Sequence, residues 1–546
     1  MPDPVAGVCR GRHHPSPCSG RTRLGHVIRL TISPPPRRLV GAPVSGQAPP
    51  RLLVARNFSL LMAGELVGQL VIFLLTAHLA RVLGPDGFGV WTFATSAVLY
   101  LTLLVDAGTE NWGMRRVSAS PARLRQSVAD VVGLRLLLAG AITVAILLFA
   151  LSGASTPDRR MALAYGASSL LAYALNLAWA LRAVEVAAPV AAANLLQRLA
   201  MLGLAFAFVR APEDVRYVLL WQGIAELAGA ALCVLALVPR GLPRPRAFRL
   251  GRVRGVLRQA WPMGVSRAMR GVMFMVPVGV LALCWTDAVV GVYGAALRIA
   301  MALVVVSSIY GIVVFPTISR ACVAGGAAEP EILAASFRLL AALIVPVCVG
   351  IAVLAEPIVT LVFGPAYGAA VLPLQILMAA MLAAGFSDNL RRVLIGRRRQ
   401  VLELRLMGWA MLVNLVLSGL MAWLAGAAGA ASAVLAAELV LLVFLAWGVH
   451  RTGPTVGLAV PLSRPAAAAA VMGLAVFALR GQSLVVIIPA GAMIYFGVLL
   501  LLRWRILADL RRFDLGVGPA RNPTDTGRRQ STAAHPATRT VPDSAQ

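Results

Sequence analysis

The sequence predicts an all-α polytopic membrane protein of about 14 transmembrane helices, built as two pseudo-symmetric six-helix lobes plus two C-terminal helices. Three observations predict it. The 546 residues are 59% hydrophobic and 13% charged, with a mean hydropathy of +0.81, which is more apolar surface than a soluble domain can hide. The apolar residues fall into runs of about twenty, the length that crosses a hydrocarbon core of roughly 30 Å at 1.5 Å per residue. Arginines crowd nearly every second gap between those runs.

Residues 1–56 are rich in Pro, Gly, Ser and Arg and carry no signal-peptide h-region, so they are expected to be an uncleaved, disordered basic arm. Six runs follow at 57–80, 88–108, 131–152, 161–181, 190–209 and 215–238, forming an N-lobe over 57–239. A basic linker at 240–258 leads to six more, at 259–285, 289–315, 332–354, 367–386, 404–425 and 429–449, a C-lobe over 259–450. Two last runs, 464–479 and 483–502, occupy the segment 451–503, and 504–546 is a polar tail expected to be disordered. Backbone groups in lipid must be paired internally, so each run is expected to be a helix. The alternating short strands of an outer-membrane barrel are absent from the pattern.

The gaps orient the chain. Arg115, Arg116, Arg123 and Arg125 follow the second run, and Arg240, Arg244, Arg246, Arg249, Arg252, Arg254 and Arg258 follow the sixth. Arg391, Arg392, Arg397, Arg398 and Arg399 follow the tenth, and Arg503, Arg505, Arg511 and Arg512 the last. Odd gaps are sparse or mixed, such as Asp158-Arg159-Arg160 and Asp287. Short cytoplasmic loops retain the excess of basic residues, so the even gaps and both termini are expected in the cytoplasm. Topology thus accounts for the net charge of +28, and no nucleic-acid partner is predicted. The six cysteines show no C-x-x-C or Cys/His spacing, so neither metal nor cofactor is expected. No glycine-rich nucleotide loop, paired catalytic carboxylates or Ser/His/Asp set stands out, and no catalytic residue is assigned.

The halves repeat. Gly89-Val90-Trp91 falls on Gly291-Val292-Tyr293 when the first pair of runs is slid onto the seventh and eighth. Parallel six-span repeats are a transporter architecture with the substrate path at their interface.

At this point the chain resembles a family. Arg81, Leu83, Gly84, Phe88 and Gly89 resemble the R-x-L-G-x-x-x-F-G end of the first hairpin in polysaccharide exporters of the Wzx type. Asp106-Ala107-Gly108 with Arg115-Arg116 resembles that family's D-x-G and following arginines. Gly291 to Arg298 and Phe315-Pro316 resemble its eighth-span signature, and Asn414 with Gly426-Ala427-Ala428-Gly429-Ala430-Ala431 its N-x-x-x-N…G-x-x-G-A-A stretch, although Ser418 replaces the second Asn. The resemblance covers roughly 56–451 and implies the multidrug/oligosaccharidyl-lipid/polysaccharide exporter superfamily. It implies a non-enzymatic flippase in the bacterial cytoplasmic membrane, moving an oligosaccharide linked to a lipid, with polyprenyl pyrophosphate as the expected carrier, for surface polysaccharide or lipopolysaccharide synthesis. Membrane lipids, a polysaccharide polymerase and glycosyltransferases are the partners it suggests.

Such a protein needs fixed cations inside its spans, because an ionisable side chain facing lipid is costly and a guanidinium matches phosphate oxygens. Arg267 and Arg270, three apart on the seventh span, and Arg298 inside the eighth are therefore the headgroup candidates. Glu65 occupies the repeat position of Arg267, and Gln69 lies one turn on. With Asp106 and Arg115 they are the coupling or gating candidates, Glu65 being expected to face an arginine across the lobes. Arg135, Asn176, Asn194, Gln197, Arg198, Gln222, Glu226 and Glu438 read mainly as interhelical hydrogen-bond partners. The rival readings are a MATE-like exporter of cationic compounds, which favours acidic cavity residues, and a glycan polymerase or glycosyltransferase, which needs a large extracytoplasmic loop.

Overall fold

The computed structural model describes residues 50–153, 155–240, 250–326, 328–454 and 459–502. Positions 1–49 of the expected arm, positions 241–249 of the expected linker and the expected tail lie outside the described residues, whereas positions 50–56, expected to be disordered, are helical and open α1. Along the chain run α1 (Pro50–Asp106), α2 (Thr109–Ala119), α3 (Leu124–Leu151), α4 (Pro157–Leu175), α5 (Ala178–Ala183), α6 (Ala188–Phe208) and α7 (Val215–Leu237). They are followed by α8 (Leu250–Val272), α9 (Val276–Cys284), α10 (Asp287–Ala324), α11 (Ala328–Val353) and α12 (Ala355–Phe363). The last are α13 (Val371–Gly396), α14 (Gln400–Thr452), α15 (Ala459–Ala478) and α16 (Leu484–Leu501). Among the described residues the structure is all-helical, and ten helices are long and apolar enough to cross a membrane.

The two longest of those helices, α1 and α14, are interrupted. In α1, Gly84 takes φ 67° and ψ 178°, a backbone region that only glycine visits cheaply, and Pro85 follows it. In α14 the break is at Ala425 and Gly426, where Gly426 has φ 55°. There the chain doubles back: a Cβ on Gly429 would collide with the carbonyl oxygen of Met421, a residue that an unbroken helix would place about 12 Å away.

Other runs differ from expectation. The seventh, expected as one helix over 259–285, is split between Val272 and Val276, with Pro277 in the first turn of α9. Proline has no N–H and its ring clashes with the carbonyl four residues back, so a helix ends ahead of it. The stranded Met273 carbonyl accepts from Asn414 Nδ2 at 2.6 Å, and Ser418 donates to Asn414 Oδ1 at 3.2 Å. Both side chains are fully buried. Ser418 therefore keeps a polar partnership where the family pattern has Asn. The fourth run, expected over 161–181, breaks at the extended residue Asn176. The tenth, expected to end at 386, continues through Arg391 and Arg392, which the pattern places in the following gap, to Gly396.

Packing follows two groupings. Helix α7 lies against α4 and α6, and α3 against α4; separately, α13 lies against α10, α11 and α14, and α14 against α9. Helix α15 packs on α11 and α16 on α15. Many long apolar side chains, such as Leu148, Trp409 and Leu500, remain exposed on the outside, as lipid contact requires.

Candidate functional site

A cavity of about 450 Å³ opens where the two groupings meet. Its walls are α1 (Thr92 to Thr102), α4 with Asn176, α6 (Gln197), α7 (Gln222, Glu226) and α10 (Gly294 to Met301), with Met275 between α8 and α9. Arg298 and Glu226 are the two charged residues among its described lining. They sit at matching depth: Arg298 lies eleven residues beyond Asp287 in α10, and Glu226 eleven beyond Val215 in α7. That is about 16 Å along each helix, near the middle of a bilayer core.

Arg298 is held in an unusual way. Its guanidinium carbon lies 4.4 Å from the centre of the Trp91 ring, and among the described residues it forms no ion pair and no hydrogen bond. The ring quadrupole offsets part of the cost of removing a cation from water but uses none of the N–H donors. The five donors remain for an anion. Across the cavity, Gln222 Nε2 donates to Glu226 Oε1 at 3.0 Å, leaving Oε2 without a partner from that amide.

The repeat organises the walls. Thr92, Thr95, Ser96 and Leu99 line the cavity from α1 at helical i, i+3, i+4 and i+7 spacing; their repeat mates Gly294, Leu297, Arg298 and Met301 line it from α10 at the same spacing. The mate of the arginine is thus Ser96. Below these faces the helices cross reciprocally: a Cβ on Gly89 would collide with the Asp287 carbonyl, and one on Gly291 with that of Pro85, the mate of Asp287. Such self-complementary contact is the mark of two-fold symmetry.

Further ties flank the crossing. Arg159 pairs with Asp287 at 2.7 Å and donates to the Ala282 carbonyl at 2.7 Å. Arg81 donates to the carbonyls of Val362 (3.2 Å) and Leu361, and Tyr367 to that of Ala80 at 3.0 Å. At the opposite end of the cavity, Cβ atoms on Gly108 or Gly264 would strike each other's backbone, and Trp112 donates to Gln259 at 3.0 Å.

The remaining sequence candidates are dispersed. Arg267 and Arg270 lie on α8, but their side chains fall outside the described residues. Glu65 pairs with Arg198 of α6 at 3.0 Å and accepts from Gln69 at 2.9 Å. Its cation therefore comes from the first half of the chain and not across the interface. Asp106 pairs with Arg135 at 2.6 Å, both side chains being nearly inaccessible. Arg135 also donates to Thr109 at 2.8 Å and lies 4.7 Å from the Tyr173 ring centre. Arg115 is exposed on α2, and Glu110 pairs with Arg182 at 3.0 Å. Among the described residues no group of His, Cys, Asp and Glu could hold a metal.

Sequence reasoning missed Trp91 as the platform for Arg298 and the Arg159–Asp287 tie. The first was visible as the aromatic residue five positions before Ser96, the arginine's repeat mate; the second only as two opposite charges in sparse gaps.

The sequence profile of a family described as polysaccharide biosynthesis protein matches residues 54–322. A Shigella dysenteriae protein described as an O-antigen transporter is 24% identical over 269 residues, spanning 48% of this chain and 67% of the relative. The fold is similar to that of the lipid II flippase MurJ in an inward closed conformation, with TM-score 0.68 and 12% identity over 81% of this chain and 99% of that one. An inward-facing multidrug resistance MATE family transporter of the MOP superfamily matches with TM-score 0.56 and 16% identity, over 70% of this chain and 94% of the other.

Proposed function

We propose that this chain, a polysaccharide biosynthesis family protein through residues 54–322, is a flippase that carries a lipid-linked oligosaccharide from the inner to the outer leaflet of a bacterial cytoplasmic membrane by alternating access. The observation that carries the reading is Arg298, without an anionic partner among the described residues, on its Trp91 platform at mid-membrane depth in a polar cavity between repeats. A guanidinium so placed matches the diphosphate of a polyprenyl-linked sugar, binding it bidentately while the lipid tail stays in the bilayer. Arg267 and Arg270 on α8 would receive the same diphosphate nearer the cytoplasm. The Glu65–Arg198 pair with Gln69 belongs to the gating machinery, as does Arg115, whereas Asp106 serves the fold through its pair with Arg135.

The reading includes fourteen spans. The breaks in α1 and α14 divide two of the ten long helices, the split pair α8 and α9 supplies another crossing, and α15 the last. Residues 57–239 and 259–450 are then the lobes, 240–258 their cytoplasmic linker and 451–503 the C-terminal pair, with the arm 1–56 and the tail 504–546 in the cytoplasm. A polymerase and glycosyltransferases would act on either side of the transport step.

Glu226 gives the drug-exporter reading one specific support, since a cavity carboxylate suits organic cations. The test separates the two. Wild-type and Arg298→Ala proteins are reconstituted in liposomes carrying a fluorescent polyprenyl-diphosphate oligosaccharide in one leaflet. Loss of its translocation in the variant, with insertion intact, is expected; undiminished translocation removes the assignment. Uptake of an organic cation that depends on Glu226 and not on Arg298 would favour the exporter.

A further inference from the structure

Resting on the flippase reading, we infer that Glu226 reads the sugar end of the substrate, so that the site favours headgroups bearing amino or neutral sugars over those bearing acidic ones. The cavity is dipolar. Arg298, the one cation of its described lining, comes from the second half of the chain, whose other lining residues, Met275, Gly294, Leu297 and Met301, offer no polar side-chain group beyond a thioether. A diphosphate drawn to Arg298 therefore leaves the sugars facing the opposite wall. That wall supplies the Gln197, Gln222 and Asn176 amides and the Glu226 carboxylate.

The chemistry of that wall sets the preference. Amides donate and accept, so they suit the hydroxyls of any hexose. The carboxylate accepts only; Gln222 occupies Oε1 and the Ser169 hydroxyl lies beside the same carboxylate, and its remaining acceptor sites face whatever enters. An ammonium on an amino sugar meets it as a charge-assisted pair, and a hydroxyl meets it as a neutral donor. A uronate must either repel it or share a proton with it, and in a cavity of low polarisability that juxtaposition is penalised strongly. The cavity volume of about 450 Å³ suits a headgroup of a few sugars, so the sugars nearest the diphosphate are the ones read.

The test measures binding of three water-soluble probes, farnesyl-diphosphate disaccharides with a glucosyl, an aminoglucosyl or a glucuronyl end, to the full chain in nanodiscs. Wild type should bind in the order amino, neutral, acidic, with at least about tenfold between the extremes. Glu226→Gln should bring the three to within about threefold of one another while the glucosyl probe stays Arg298-dependent; Glu226→Asp should keep the order at reduced affinity. Wild-type binding that is Arg298-dependent but blind to the sugar's charge overturns the inference and leaves the flippase reading standing. Binding that ignores Arg298, or no binding of any probe, overturns both. Thermal melting of each variant at the wild-type temperature excludes misfolding as the cause.

Discussion

Two arginines in the membrane region of this protein, Arg135 buried and Arg298 half-buried on the cavity wall, keep contrasting company. Arg135 meets Asp106, Thr109 and the face of Tyr173, so its charge is neutralised and its donors are occupied by the protein itself. Arg298 has an aromatic face and, among the described residues, no anion. A protein that needed both only for stability would pair both, because an unpaired internal cation is expensive. On the proposed reading, the difference separates a structural ion pair from a site whose counter-charge arrives with a ligand.

Breaking the structural half of that contrast should have the largest effect. Asp106→Ala strands Arg135 and should cost about 3–5 kcal/mol in thermal or denaturant unfolding, whereas Arg298→Ala should melt as wild type while losing transport. A melting temperature for Asp106→Ala equal to wild type would erase the distinction. Next come the crossing glycines: Gly89→Ala and Gly291→Ala each drive a Cβ into a backbone carbonyl, so each should lose about 1–3 kcal/mol, and by similar amounts if the contact is two-fold. Unequal losses, read from paired melts, would show the crossing to be one-sided. Trp91→Leu removes the cation–π platform and should weaken diphosphate binding about tenfold without unfolding the protein, measured by titration. The smallest change is expected at the arginine's repeat mate: Ser96→Ala, which loses a bond to the Thr92 carbonyl, should cost about 0.6 kcal/mol and leave binding unaltered.

Hydrophobic run length carried most of the helical architecture, because a bilayer imposes one length on every crossing. It carried less about where helices stop. Asn176 ends α4 by side-chain and backbone bonding to Ala178 and Arg135, an interaction with a residue forty positions away that no local pattern contains. The break before Pro277 was marked by the proline, but its repair by Asn414 was not. At the site, Arg298 stood out as a charge inside an apolar run. The partner of Glu65 did not, since Arg198 and Arg267 were both chemically suitable and only packing separates them. Glu226 looked like any interhelical hydrogen-bond residue, because its exposure to the cavity depends on how α4, α6 and α7 splay.

The crossing of Gly89 and Gly291 has a consequence for motion. At that crossing point the contact is backbone on backbone, so no side-chain torsions there freeze or release when the helices turn against each other. Interdigitated side chains would act as cogs, holding the helices to a few discrete angles. A bare glycine contact is instead a bearing, and here it lies beside the cavity, so a small roll about it would change the distance between Arg298 and the opposite wall, with the Thr92–Gly294 and Trp91–Arg298 contacts as the packing that must yield.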